Sequence, residues 1–410
     1  MAATRAEWPR SRSSRSARTL RRLEGLRPRL DRNGRLVVAA RSVRSFAFGL
    51  NAVALGLYLA DSGLSAAETG WVLSAALVGT MGLTLLIALR GDRLGRRRVL
   101  VAGCALMSLA ALIPILGTNA LALGAIALSG MVSITSNEST GLHTIDQALL
   151  PGTVAAADRT AAFAFYNVMA ALASSLGALA LGPLLGVASL LGLTGPDAYA
   201  PAFVSYALLG LVAMGLATRL DGRAEVAAAP VDQAGGGSVE LGRAGGLRRS
   251  RSVVLRLSAL FSLDSFAGSL AVPAFLAYWF STRFDARPEA VGALFFAGGL
   301  LTAISFPFAV WLARRVGLIR TMVFTHIPAS VFLICMAIVP WLPAAAVLFL
   351  ARAALSSMDV PRASPTRWRP LILPSGLLRR ASPASPGAAP RSEGPRSPGR
   401  CSCHSASACR

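Results

Sequence analysis

The sequence predicts an all-α membrane protein of two pseudo-symmetric six-helix halves, with about ten helices present and the last two missing. Three observations predict this fold. Hydrophobic residues make up 54% of the 410 residues and charged residues only 15%, against roughly 25% charged residues in soluble domains. The apolar residues form blocks of about 20, long enough for helices to cross the roughly 30 Å hydrocarbon core of a bilayer. The blocks also repeat in register along the chain.

The apolar blocks predict ten membrane spans, at 37–60, 68–89, 99–117, 120–140, 161–187, 200–218, 253–280, 289–312, 321–339 and 342–360. Arginine is concentrated in alternate loops, at 90–98, 219–251 and 314–320, and is sparse in most of the others. The loop at 281–288 is an exception, because it carries both signs of charge. Since cytoplasmic loops carry the basic excess, we expect a multi-pass protein of the cell (plasma or inner) membrane with a cytoplasmic N-terminus.

Composition divides the chain into five segments. Residues 1–36 are rich in Arg and Ser and predict a disordered cytoplasmic arm, and residues 37–220 form the first half with six spans. The Gly-rich segment 221–252 predicts a flexible cytoplasmic linker. Residues 253–360 form an incomplete second half with four spans. Residues 361–410 are a low-complexity tail, which we interpret as the product of a reading-frame shift in GC-rich DNA, with ordinary disorder as the alternative.

An internal repeat relates the two halves. Three short matches lie at nearly one offset: Ser45-Phe46-Ala47 with Ser265-Phe266-Ala267, Asp92 to Gly95 with Arg314 to Gly317, and Ser136-Asn137-Glu138 with Ser357-Met358-Asp359. Parallel six-span repeats are a known transporter architecture, in which the binding site lies where the repeats meet.

Several classes of function are disfavoured. The net charge of +22 resembles that of a nucleic-acid-binding protein, but the arginines lie in the termini and loops without interleaved aromatic residues. No Walker loop for ATP occurs, and Cys401-Ser-Cys403-His404 lacks a second pair of ligands for a metal. We therefore expect no nucleic-acid partner, no cofactor and no metal.

A loop between the second and third spans carries a recognisable signature, Gly91-Asp92-Arg93-Leu94-Gly95-Arg96-Arg97-Arg98. It resembles the loop motif of the major facilitator superfamily (MFS), Gly followed by Asp-Arg-x-Gly-Arg-Arg, although Ala88 replaces the Gly usual four residues before the Asp. The resemblance implies the MFS-type fold. It also implies a gating loop formed by Gly91, Asp92, Arg93, Gly95, Arg96 and Arg97, which holds the outward-open state by contacts to the eleventh helix.

The fifth span contains Gly182-Pro183-Leu184-Leu185-Gly186. This stretch resembles part of the motif of proton-coupled exporters within the superfamily, with Val187 in place of a final Gly. Small residues permit close helix approach and Pro bends a helix. The resemblance inclines the expected direction of transport towards export.

Polar and charged residues within the apolar spans are the candidates for the solute or ion cavity, because ionisable groups at membrane depth usually face a cavity or a partner. They are Arg44, Asn51, Asp264 and Arg352. The repeat places Arg44 and Asp264 at equivalent positions in the first and seventh spans. Asp264 is interpreted either as a switchable site, a proton carrier or a charge released from Arg44 or Arg352, or as half of a fixed ion pair.

The predicted function is secondary active transport of a small solute by alternating access, proton-coupled and inclined to efflux, by a permease that is a monomer in the lipid bilayer. Two alternatives stay open. One is an inactive gene fragment of such a transporter. The other is a membrane-embedded enzyme, which is disfavoured because the polar groups at membrane depth are scattered.

Overall fold

The computed structural model describes residues 30–111, 117, 119–135, 141–155, 158–221, 271–316 and 318–356, together with the single residues 259, 262, 266 and 268. The regular structure in these ranges is helical and contains no strand, which confirms the all-α fold class. The α-helices in chain order are α1 (Arg32–Asp61), α2 (Ala66–Leu94), α3 (Arg96–Ala111), α4 (Ala120–Ala127), α5 (Gly141–Leu149), α6 (Arg159–Leu190), α7 (Ala200–Thr218), α8 (Pro273–Phe284), α9 (Pro288–Val316), α10 (Leu318–Ile338) and α11 (Leu342–Ser356). Short 3₁₀ helices at Leu150–Thr153 and Gly195–Tyr199 lie before α6 and α7.

Side-chain caps determine where the first two helices begin. The Asp31 carboxylate accepts the backbone N–H of Gly34 at 2.6 Å, so α1 begins five residues before the predicted apolar block. At the start of α2, Ser65 and Glu68 form a capping box in which each side chain accepts the other's backbone N–H. Such caps satisfy N–H groups that have no partner inside the helix.

The fourth predicted span is not one helix. We predicted a continuous span over 120–140, whereas α4 ends at Ala127, residues 128–135 are irregular, and α5 begins at Gly141. The prediction was wrong because Gly130 has a φ of +73°, which a right-handed helix cannot accommodate. A Cβ at Gly130 would lie 2.4 Å from the carbonyl oxygen of Gly79, so the close approach also requires glycine.

Neighbouring helices supply hydrogen bonds to the broken span. Three donors reach its carbonyl groups: Asn51 Nδ2 to Ser133 O at 2.9 Å, Tyr206 Oη to Met131 O at 2.7 Å, and the backbone N–H of Ala274 to Ile134 O at 3.1 Å. Irregular backbone at membrane depth is tolerated where protein buries it and pairs its polar groups. The break is therefore part of the packed structure.

Helix α1 lies at the centre of the packing, against α6, α7 and α8. Its contact with α6 is unusually close. A Cβ at Gly49 would lie 1.9 Å from Ser174 O, and a Cβ at Gly177 would lie 1.9 Å from Phe46 O. Only glycine permits this backbone approach, as small residues commonly do between membrane helices.

Small residues also line the contacts between the two predicted halves. Helix α6 packs against α9, where a Cβ at Gly299 would lie 2.1 Å from Ser175 Oγ. Helix α1 packs against α8, where a Cβ at Gly56 would lie 2.2 Å from Ala274 O. The helices of the two segments are therefore in direct backbone-level contact.

Five helical stretches in the described part of the chain are long and apolar enough to cross a membrane: Arg32–Asp61, Ala66–Gly91, Ala161–Leu190, Gly195–Thr218 and Pro288–Ser305. Shorter apolar helices follow at Phe324–Ile338 and Leu342–Leu355. Large apolar side chains are exposed on the outer surface of α2, including Met81 and Leu89. This pattern is typical of a multi-pass membrane protein, in which lipid contacts the outer surface.

Several sequence predictions fall outside the described residues. These are residues 1–29 of the arm predicted over 1–36, nearly all of the 221–252 linker, the start of the seventh span with Asp264, and the 361–410 tail. The end of the predicted arm, from Arg32 on, is not disordered but forms the start of α1. The proposed division of the chain into segments stays a prediction.

Candidate functional site

A buried ion pair joins α1 to α5. Arg44 Nη2 donates to Asp146 Oδ2, and the two side chains are 0% and 1% exposed. Arg44 lies about 18 Å along α1 from its first residue, at 1.5 Å rise per residue. An ion pair removed from water in this way is held by the geometry of its hydrogen bonds, since desolvation opposes it.

A hydrogen-bonded chain leads from this ion pair to the surface. The Tyr166 hydroxyl donates to Asp146 Oδ2 at 3.2 Å. Because its hydrogen is used there, the Tyr166 oxygen accepts from His143 Nδ1, which lies 3.0 Å away. His143 Nε2 is then the acceptor for the Gln147 amide nitrogen at 3.0 Å. The contacts thus assign the neutral His143 tautomer with its proton on Nδ1.

A second guanidinium lies beside the chain. Arg41 stands over the Tyr166 ring, 5.4 Å from its centroid, and Arg41 is itself buried. We call the four buried residues Arg41, Arg44, Asp146 and Tyr166 the buried charge cluster, which His143 and Gln147 connect to the surface. No group of three or more His, Cys, Asp or Glu side chains suited to a metal occurs within the described ranges.

Sequence reasoning singled out Arg44 but missed Asp146, His143 and Tyr166. A signal was present in the amphipathic segment that forms α5. Leu142, Ile145, Asp146 and Leu149 follow the i, i+3, i+4, i+7 pattern of one helix face, and all four are buried. An acidic residue on an otherwise apolar face indicates a buried partner. The sequence prediction left this segment between the spans at 120–140 and 161–187.

A cavity of about 230 Å³ lies between α6 of the first half and α8, α9 and α11 of the second. Its polar lining includes Ser174, Ser175, Thr302 and the half-buried Arg352, and its apolar lining includes Phe295 and Phe349. Among the described lining residues none is acidic. We call this space the interhalf cavity.

The four predicted cavity residues take different positions. Arg352 lines the interhalf cavity, whereas Arg44 belongs to the buried charge cluster. Asn51 is buried and donates to Ser133 O, so its amide supports the broken fourth span. Asp264 lies outside the described residues, and the interpretation of its role stays a prediction.

The arginine-rich loop joins the ends of three helices. Gly95, with a φ of +87°, makes the turn between α2 and α3. Arg96 Nη1 donates to Ala148 O near the end of α5 at 3.5 Å, and Arg97 Nη2 donates to Thr218 O at the end of α7 at 2.5 Å. Cations at helix C-termini complement the helix dipole. The loop therefore ties α5 and α7 to the start of α3.

The remaining members of the loop differ in environment. Gly91 is buried and Arg93 is exposed, while nothing is described of the Asp92 side chain. The expected contact with an eleventh transmembrane helix stays a prediction.

The exporter-like stretch lies within α6, with Pro183 inside the helix. A Cβ at Gly182 would first meet the side chain of Glu289 in α9, at 3.7 Å, and a Cβ at Gly186 would meet nothing within 4 Å. Gly182 therefore lies near the contact between the halves, and Gly186 faces open space.

The sequence profile of the Major Facilitator Superfamily matches residues 37–361. A curated relative, the uncharacterized membrane protein YJR124C of Saccharomyces cerevisiae, is 27% identical over 353 residues, which covers 80% of this chain and 79% of the relative.

Solved structures share the fold. The partially occluded inward-open xylose transporter XylE of E. coli aligns with a TM-score of 0.55 at 13% identity, covering 80% of this chain and 83% of its own. An inward-facing bacterial homolog of the human lysosomal transporter Spinster gives 0.53 at 16%, covering 80% and 74%. The human organic anion transporter MFSD10 (TETRAN) gives 0.51 at 18%, covering 82% and 85%. With its helices packed in this fold and most of its sequence matched by one family profile, the chain belongs to the Major Facilitator Superfamily and is a transporter rather than an enzyme.

Proposed function

We propose that this chain, a secondary transporter by its family, exports a small organic anion by alternating access in exchange for protons. The observation that carries the proposal is the buried Arg44–Asp146 ion pair, which joins two helices of the first half and contains one group that a proton can neutralise. The interhalf cavity supports the choice of solute.

The ion pair is suited to proton coupling because its two members respond differently to protons. The guanidinium of Arg44 stays charged at all accessible pH values. The carboxylate of Asp146 loses its charge when it binds a proton, which removes the ionic attraction between Asp146 and Arg44. Neutralising one member of a buried ion pair is unfavourable, because the other charge keeps the cost of its desolvation. This cost favours a rearrangement of α1 against α5 in which Arg44 meets solvent or another anion.

Arg352 supports an anionic solute. Arg352 lines a cavity together with Phe295 and Phe349, and the described lining residues include no acidic group. A guanidinium binds planar oxyanions through paired hydrogen bonds, and the rings suit an apolar body. One of the similar structures is an organic anion transporter, which agrees with this choice of solute class.

Gly182, Pro183 and Gly186 support export over import. They match part of the exporter motif and lie on α6, which packs against α9 of the other half. Pro183 interrupts the backbone hydrogen bonding of α6 on a helix that contacts the other half, where alternating access requires the helices to move. Transport measured in both right-side-out and everted vesicles tests the direction, and a pH-gradient-driven accumulation in right-side-out vesicles would contradict export.

Binding of benzenesulfonate to the purified full-length protein tests the solute class. We expect Arg352→Gln to weaken binding about tenfold or more, since a charge-assisted hydrogen bond is lost, and Arg352→Lys to retain part of the affinity. The matched control is Arg320→Gln, at an exposed position, which leaves binding unchanged. Equal competition by the neutral benzenesulfonamide would contradict an anion site.

Proton coupling is tested in proteoliposomes with benzenesulfonate as solute. We expect Asp146→Asn to abolish the response of transport to a pH gradient while exchange of solute across the membrane continues, because the neutral amide cannot cycle a proton. The exposed Asp197 provides the control variant Asp197→Asn. If transport by Asp146→Asn still responds to the pH gradient as the wild type does, Asp146 has no coupling role. If the response is lost in Asp264→Asn instead, the coupling role belongs to Asp264. The inactive-fragment alternative predicts normal membrane insertion without transport.

A further inference from the structure

We propose that His143 is the entry site of the coupling proton and that Tyr166 passes the proton to Asp146. The inference rests on the proposed function, since it names the route by which the Arg44–Asp146 ion pair is protonated. It is carried by an unbroken hydrogen-bonded chain from an exposed side chain to a buried carboxylate.

The chain follows a gradient of burial. Gln147 is exposed, His143 is half-buried, and Tyr166 and Asp146 are buried. Each link is within hydrogen-bond range, at 3.0 Å from Gln147 to His143, 3.0 Å from His143 to Tyr166 and 3.2 Å from Tyr166 to Asp146. An imidazole is the side chain that exchanges protons with water near neutral pH, and here it occupies the link between surface and interior.

The direction of each hydrogen bond permits a balanced transfer. A proton from water binds His143 Nε2 as the proton on Nδ1 moves to the Tyr166 oxygen. The original Tyr166 hydroxyl proton moves to Asp146 Oδ2. The outcome is a neutral Asp146 carboxyl, an intact Tyr166 hydroxyl and a neutral His143 with its proton on Nε2. Gln147 then turns its carbonyl oxygen towards Nε2, and rotation of the ring resets the relay.

Arginines on two neighbouring helices lie beside the relay. Helix α1 places Arg41 over the Tyr166 ring and Arg44 on Asp146. Helix α3 places Arg96 on the carbonyl of Ala148, in the last turn of the same helix as His143. The transfer leaves no added charge on His143, because the ring gives up one proton as it gains another.

Time-resolved infrared spectroscopy tests the relay. The full-length protein in liposomes is subjected to a drop in pH, and no solute is added. The carboxylic C=O band that Asp146→Asn removes reports protonation of Asp146. We expect Tyr166→Phe and His143→Ala each to slow the rise of this band about tenfold or more, because each removes one link of the chain. The matched control is Thr144→Ala, at an exposed position of the same helix, which keeps the wild-type rate.

Chemical rescue separates a relay from a structural role. We expect added imidazole to restore the rate in His143→Ala, and pyrazole, a much weaker base of similar shape, to leave it slow. Wild-type rates in both Tyr166→Phe and His143→Ala, or restoration by both added bases alike, would overturn the relay. If Asp146→Asn removes no carboxylic C=O band, Asp146 does not take up the proton, and the coupling role of the ion pair in the proposed function is overturned instead.

Discussion

The close contact between α1 and α6 predicts a large and specific effect of adding one methyl group. A Cβ at Gly177 would lie 1.9 Å from Phe46 O and 2.8 Å from the Phe46 carbonyl carbon. Ordinary contacts between non-bonded heavy atoms lie near 3.5 Å. Gly177→Ala therefore forces the two backbones apart by more than about 1 Å. Such a gap removes up to about half of the attractive dispersion energy of each contact along the interface.

We expect Gly177→Ala to destabilise the protein by about 3 kcal/mol, at the upper end for overpacking. The matched control is Gly186→Ala on the same helix, where a Cβ meets nothing within 4 Å. This control is expected to be neutral or stabilising by up to about 1 kcal/mol, because Ala favours the helix over Gly. The difference between the two variants isolates the packing effect from helix propensity.

Size-exclusion chromatography of the purified protein after stepwise heating measures this difference. Gly177→Ala should lose its monodisperse peak about 5 °C or more below Gly186→Ala, from the usual relation between stability and melting temperature. Gly49→Ala, which meets Ser174 O at 1.9 Å, should behave like Gly177→Ala. Equal melting of Gly177→Ala and Gly186→Ala would refute the close contact between α1 and α6.

Three further predictions concern polar contacts. Asn51→Leu leaves the Ser133 carbonyl without its donor and should cost about 1–3 kcal/mol in the same heating assay, so an unchanged profile would contradict this role of the amide. Arg97→Gln removes a donor from the end of α7 and should weaken that end by about 0.3–1 kcal/mol, visible as faster hydrogen exchange in its last turn, while the exposed Arg98→Gln leaves exchange unchanged. Ser65→Ala opens the capping box of α2 and should cost about 1 kcal/mol, with faster exchange confined to the first turn of α2; exchange that stays at the wild-type rate would contradict the cap.

The helices that agree best with the sequence prediction are those bounded by local signals. The sixth span was predicted at 200–218 and α7 has those bounds, because apolar residues fill it and a Pro and an Arg stand near its ends. The ninth and tenth spans also begin within a few residues of α10 and α11. Hydropathy and helix-end residues act over one or two helical turns, so these signals can be recognised in the sequence alone.

The fourth span shows where prediction from local sequence fails. Its composition is apolar throughout, yet the helix breaks after Ala127. Donors from Asn51, Tyr206 and Ala274 reach its carbonyl groups from sequence positions far away. Without those partners an open carbonyl at this depth is costly, so the sequence predicts a continuous helix there.

The candidate site divides in the same way. The sequence identified Arg44 and Arg352 as candidates, because each is a charged residue within a span that hydropathy predicts. The repeat suggested Arg44 as one possible partner of Asp264, which lies outside the described residues. The structure pairs Arg44 with Asp146, 102 residues away. His143 and Tyr166 entered the site only through that contact.

By itself the sequence determined the helical class, the membrane setting, the repeat and the family resemblance, because each depends on composition or on short motifs that act locally. Only the tertiary structure decided which carboxylate pairs with Arg44, where the helix of the fourth span is interrupted and which ring nitrogen of His143 carries the proton. These features depend on which helix faces contact each other. Close contacts at glycines, such as Gly177 against the backbone of Phe46, determine those faces, and they join residues far apart in the chain.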